Sequence, residues 1–212
     1  MKAIHRFKTA ARESIGRGAI RQRIVTEARR HFLAHGFRGV TMDDLAVELG
    51  MSKKTLYAHF TGKSALLKAV IDDKMRAVDA DLGGVASRSS SDFLSAVQQL
   101  LACVRQHSEE LQPPFLRDMA REVPELFKVV QTRRRALIQR HLGKLLREGR
   151  KSGMIRKDMT VDLMIEILVG ATDALMNPQK LSQLGLPART CLTAIVTIFL
   201  EGVMTDKERR KL

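Results

Sequence analysis

The chain is 212 residues long, 44% hydrophobic and 28% charged, with 37 Lys and Arg against 23 Asp and Glu and a formal net charge of +14. That length suffices for one large domain or for a body of two subdomains with an ample apolar core, and the basic excess favours a polyanionic partner, of which nucleic acid is the commonest. The two cysteines, Cys103 and Cys191, stand far apart with no C-x-x-C spacing, which points away from a disulfide scaffold and toward reduced, buried thiols in a cytoplasmic protein.

With no Trp, one Tyr and few strand-like runs, the chain reads as all-α. It contains no internal repeat and no low-complexity tract. The charge is uneven: residues 1–76 carry 16 Lys and Arg against 7 Asp and Glu, and seven of the basic residues fall within 1–23, where Glu13 is the sole acid. No apolar run in that segment makes a signal peptide or a membrane span. Residues 1–20 are expected as a mobile basic arm lying along phosphates or reaching a minor groove; a merely solvated extension is the plainer alternative.

A first helix is expected over 21–35, with Ile24, Ala28 and Phe32 at four-residue spacing and Gly36 as its left-handed C-cap. Thr41 is the N-cap of a second helix, with Asp44 as capping-box partner, and Met42, Leu45, Ala46 and Leu49 share one face. Gly50 supplies a tight turn. Ser52 then caps a short third helix that turns Leu56 and Phe60 inward and Lys53, Lys54, Thr55, Tyr57 and His59 outward. The pattern is a helix-turn-helix whose outward face suits a DNA major groove. Thr61-Gly62 breaks the third helix, and Lys63 opens a fourth, apolar at Leu66, Leu67, Val70 and Ile71, that runs to about 82. Gly83-Gly84 stops it ahead of a loop over 87–91.

Helices follow over 92–110, 115–122 and 124–151, and the Arg133-Arg134-Arg135 run on the last reads as a solvated face. The segments 161–176 and 188–204 are apolar around most of their circumference, so each is buried on several sides, yet both are too short and too polar for a bilayer. Leu163, Ile167, Gly170, Ala171 and Ala174 on the first, with Ile195, Ile198 and Phe199 on the second, are expected to meet the same pair from another copy in a four-helix homodimer interface. A purely intramolecular core is the alternative.

From Val25 to Val70 the chain resembles the N-terminal DNA-binding domain of the TetR family of bacterial transcriptional regulators. The resemblance is carried by Ala28, Phe32, Gly36-Phe37, Thr41, Leu45-Ala46, Gly50, Ser52, the run Thr55-Leu56-Tyr57-Ala58-His59-Phe60, Lys63 and Leu66-Leu67. Glu122-Val123-Pro124-Glu125-Leu126 and Gly153-Met154-Ile155-Arg156 are similar to the C-terminal domain of a branch that includes drug-efflux repressors. Arg29 and His31 depart from the leucine that many relatives carry there, which leaves the local packing open. The resemblance implies a reading head over 21–66, a ligand-binding and dimerisation domain over 67–212, and a homodimer joined through its last two long helices. It also implies a small-molecule pocket.

By resemblance and position, Thr41, Tyr57, His59 and Lys63 are phosphate candidates, and Ser52, Lys53, Lys54 and Thr55 are candidates for reaching base edges. Tyr57 as a core aromatic and His59 as a plain surface residue stay open. Pocket walls are expected from Phe93, Leu100, Phe115, Met119, Phe127, Met164 and Leu168, the alternative being ordinary core; such walls suit an apolar or amphipathic inducer. His31 and His35 stand four apart on one helix but lack a third ligand, and no catalytic constellation or cofactor motif appears. The expectation is a ligand-responsive repressor of a pseudo-palindromic double-stranded operator, with neither enzymatic activity, cofactor nor metal. The rival is an architectural or partner-controlled DNA-binding protein without a small-molecule signal.

Overall fold

A computed structural model describes residues 2–88, 93–110 and 112–205. These form α1 (Lys2–Gly39), α2 (Met42–Glu48), α3 (Lys53–His59), α4 (Lys63–Arg88), α5 (Phe93–Glu109), α6 (Pro113–Glu122) and α7 (Pro124–Leu137). A π turn (Ile138–Leu142) leads into α8 (Gly143–Lys151), followed by α9 (Val161–Leu175), α10 (Pro178–Leu184) and α11 (Ala188–Val203). Among the described residues there is no strand, and the only β pairing is an isolated antiparallel bridge between Ile155 and Met204. The all-α reading holds.

The chain builds two apolar cores. The first gathers α1, α2, α3 and the start of α4 around Phe32, Leu45, Leu56 and Leu66, and is closed from outside by Phe115 and Met119 of α6. The second is built by α5, α8, α9 and α11 around Val97, Leu146, Met164 and Leu200, with Val85 from the far end of α4. α4 therefore contributes to both, and α1 packs along α6 as well as α4. Burying such side chains stabilises by roughly 1.5–3 kcal/mol each, so α4 and α6 are held firmly between the two bodies.

Local signals account for most element ends. Thr41 and Asp44 form the reciprocal capping box, with Asp44 N donating to Thr41 Oγ1 at 3.1 Å and Thr41 N to Asp44 Oδ2 at 3.0 Å. Ser52, Thr160 and Asn177 cap α3, α9 and α10 through their side-chain oxygens, and proline occupies the first turn of α6, α7 and α10, where its missing N–H is not needed. Gly36 breaks α1 at φ 84, ψ 165. Its φ is positive as expected, but that ψ takes it out of the left-handed helical region into one that only glycine occupies readily.

Several expectations are corrected. The basic segment over 1–20 continues α1 as helix from Lys2, which the sequence reading did not foresee; it contains no proline and is rich in Ala, Lys and Arg, good helix formers that propagate an existing helix. α4 passes through Gly83-Gly84 to Arg88, because burial of Val85 outweighs the cost of about 1 kcal/mol per glycine. Of the loop expected over 87–91, residues 87 and 88 are helical and 89–91 lie outside the described residues. The single helix expected over 124–151 is divided by the π turn, and α10 was hidden behind a seven-residue length too short for periodicity to reveal.

Candidate functional site

α2 and α3 present one outward face. Leu56 and Phe60 anchor α3 in the first core, leaving Ser52, Lys53, Lys54, Thr55 and Tyr57 exposed and His59 half-buried. Tyr57 is 49% exposed and makes no intramolecular hydrogen bond among the described residues, so its phenol faces outward rather than into the core. Two arginines of α1 brace the unit from behind. Arg23 Nη2 donates to Leu49 O at 2.7 Å, and the Arg21 guanidinium stands 4.7 Å above the Phe60 ring.

The side chains on this face differ in what already holds them. Lys53 Nζ pairs with Asp43 Oδ2 at 2.6 Å, whereas Lys54 makes no ion pair among the described residues. The Thr41 hydroxyl donates to Asp44 Oδ2 at 2.6 Å, and with Asp44 it holds the α2 cap; this bonding keeps the Asp44 carboxyl below its usual range. The Ser52 and Thr55 hydroxyls bond each other at 2.8 Å. Lys63 folds over Phe37, its Nζ 4.4 Å from the ring centroid and 3.4 Å from Arg38 O. Burial pushes the Lys63 ammonium down, opposed by the charges of Asp118, Asp44 and Glu122.

Behind the head lies a cavity of about 260 Å³. Its wall takes Val70, Ile71, Phe115 and Met119 from the first core and Leu100, Leu142 and Leu168 from the second, together with Leu33 of α1. The π turn serves this wall, since Leu137, Ile138, His141 and Leu142 all line it; the wider turn brings two successive pairs to one side. Of the residues expected there, Leu100, Phe115, Met119, Phe127 and Leu168 line the cavity and Phe93 and Met164 do not. Phe93 lies against Gly149, where a Cβ would come within 2.4 Å of its ring. Met164 is fully buried in the second core.

Polar groups tie the cavity to the head, and the sequence reading missed most of them. Lys74, only 8% exposed, lines the cavity and pairs with Glu110 Oε2 at 3.0 Å. Glu110 also receives a forked bond from Arg29 of α1 at 2.8–3.0 Å. The departure at Arg29 is thus a tie between α1 and the end of α5. Lys74 itself was legible as a lysine in the apolar register of Leu67, Val70, Ile71 and Val78. The Arg133-Arg134-Arg135 run stays partly solvated but is also tied down: it bonds Asp72, Asp173 and Glu166 on α4 and α9, and Arg134 reaches the cavity wall.

α9 and α11 leave an apolar face open. Leu163 and Ile167 are each 50% exposed and Ile198 70%, while Gly170 and Ala174 are exposed and Ala171 is half-buried. Ile195 and Phe199 turn inward with Val196 and Leu200 into the second core of the same chain. No single helix among the described residues is long and apolar enough to cross a membrane.

A braced helix-turn-helix on a larger all-helical body, with a cavity walled by both apolar cores, defines a DNA-binding regulator. Residues 24–70 match the model of the bacterial regulatory proteins of the tetR family. It is 26% identical over 193 residues to the HTH-type transcriptional regulator YvaF of Bacillus subtilis (strain 168), covering 88% of this chain and 97% of that one. It is 21% identical over 197 residues to the HTH-type transcriptional repressor DhaR of Mycobacterium sp. (strain GP1), covering 92% and 97%. A TetR-family regulator from Agrobacterium tumefaciens shares the fold with a TM-score of 0.67 at 16% identity, over 89% of this chain and all of that one.

Proposed function

We propose that the chain is a ligand-responsive repressor that binds a pseudo-palindromic operator as a homodimer. The carrying observation is the position of the cavity, whose wall is shared between the core of the reading head and the core of the second domain and includes Leu33 of α1. A ligand filling it contacts both bodies at once, so its binding free energy differs between arrangements of the head, which is the condition for shifting an equilibrium. The relative DhaR is named a repressor, which supports repression.

In this reading residues 21–66 are the reading head and 67–212 the ligand-binding and dimerisation domain. Lys54 and Thr55, with Ser52 and Lys53, reach base edges. Tyr57, His59, Lys63 and Thr41 hold phosphates. The open face of Leu163, Ile167, Gly170, Ala174 and Ile198 meets its equivalent on a second copy, which sets two recognition helices at half-site spacing.

The test is selection of a bound sequence from random duplexes, followed by titration of variants across salt. Enrichment of a two-fold sequence is expected. Lys63→Ala should weaken all duplexes alike and flatten the salt dependence by about one ion, whereas Lys54→Ala should also relax base preference at one position per half-site. Enrichment of a single, asymmetric half-site, or uniform losses from both variants, overturns the assignment.

A further inference from the structure

The charged and imidazole side chains around the cavity are all basic. Lys74, His107, Arg134 and His141 all line it, and among the described residues no Asp or Glu does. Their acidic partners stand outside the lining: Glu110 for Lys74, Asp81 for His107, Asp173 for Arg134 and Asp79 for His141. The rest of the wall is aliphatic, aromatic or methionine, with Cys103, Ser108, Gln131 and Thr172 as the uncharged polar exceptions. A ligand inside therefore meets basic groups directly and carboxylates only behind them. In a low-dielectric pocket that arrangement favours an anion and rejects a cation.

Lys74 and His107 make a head-group corner. Lys74 Nζ is 3.1 Å from His107 Nδ1, and His107 Nε2 is 2.8 Å from Asp81 Oδ2. The tautomer that accepts from Lys74 at Nδ1 donates from Nε2 to Asp81, which leaves the ammonium with a donor to spare for a ligand oxygen. Asp81, Cys103 and His107 also lie close enough together to suggest a metal site, but the ammonium against the His107 ring opposes a cation there.

We propose that the cavity takes an amphipathic carboxylate, its anionic head at Lys74 and His107 and its aliphatic tail along the apolar wall. The volume, just below the ~300–1,000 Å³ of pockets for drug-sized ligands, suits a medium-length chain. This rests on the reading of the cavity as an inducer site and assigns the ligand's chemical class. It also supplies a coupling path: a carboxylate at Lys74 competes with Glu110, which is shared with Arg29 on α1.

Three probes of one chain length test it with the full-length protein: decanoate, 1-decanol and decylamine, each below its aggregation threshold, read by thermal shift and by calorimetry at neutral pH. Decanoate is expected to bind tightest and decylamine not at all. Lys74→Met, which keeps the length of the stem, should weaken decanoate by about 10-fold or more, the worth of a hydrogen bond to a charged group, and leave decanol unchanged. Lys74→Arg should restore most of the loss and guards against a variant that merely folds poorly. Equal binding of decanol and decanoate overturns the carboxylate assignment while leaving an inducer cavity intact. Preference for decylamine overturns it too, and binding of none of the three removes both the assignment and the support for the cavity as a ligand site.

Discussion

Gly36 and Asp118 meet where the reading head joins the rest of the molecule. Arg38 N donates to Asp118 Oδ2 at 2.8 Å, and a Cβ on Gly36 would stand 2.5 Å from that oxygen and 3.1 Å from Pro114 Cβ. Gly36→Ala is therefore expected to cost more than about 1 kcal/mol, seen as a lower chemical-denaturation midpoint; an unchanged midpoint would show that the junction gives way freely. Glu110 offers a second test at this scale. Burial pushes its carboxyl up, but the bonds and charges of Lys74 and Arg29 outweigh this and hold it below its usual value. A carboxyl depressed in the folded state contributes stability above its unfolded pKa and loses it as pH falls through the folded one. The melting temperature of the wild type should thus fall more steeply on acidification below about pH 4.3 than that of Glu110→Gln, which starts lower at neutral pH. Parallel curves would show that the pair contributes nothing.

At the scale of elements, legibility followed the strength of local signals. α2 and α3 were readable nearly to the residue, because Thr41, Asp44, Gly50 and Ser52 act on backbone groups within three or four positions. α4 was misjudged, since Gly83-Gly84 carries a local cost while the compensating burial of Val85 comes from helices far along the chain. The π turn had no local signal at all, for Gln139 and its neighbours are ordinary helix formers. If packing alone carries α4 through its glycines, Gly84→Ala should stabilise the protein by about 0.4–1 kcal/mol. Among the described residues no atom outside its own helix lies within 4 Å of the added Cβ, and urea unfolding measures the gain. A loss would mean that this stretch of α4 needs glycine's backbone freedom.

For the whole molecule, the open face of α9 and α11 sets an expectation about assembly. Ile198→Glu places a charge at the most exposed large apolar position of α9 and α11, where a facing copy would bury it unpaired. Sedimentation should show the variant as monomer at concentrations where the wild type is dimer, with weaker operator binding and an unchanged helical spectrum. A wild type that sediments as monomer throughout would refute the interface. Periodicity in α9 and α11 announced surfaces apolar on several sides, but it did not apportion them. Ile195 and Phe199 fill the chain's own core, whereas Leu163, Ile167 and Ile198 remain outside.

The sequence alone determined the helical class, the reading head and the face it presents, because capping, turn glycines and a 3.6-residue apolar repeat act over a few positions at a time. It also held the family resemblance that those residues carry. Only the tertiary structure decided that Arg29, Lys74 and Glu110 meet, that four basic groups ring one cavity with their acids behind them, and that Gly36 lies against Asp118. Those contacts join residues some 30 to 80 positions apart in the chain, and no periodicity within one helix encodes which face of another it will touch.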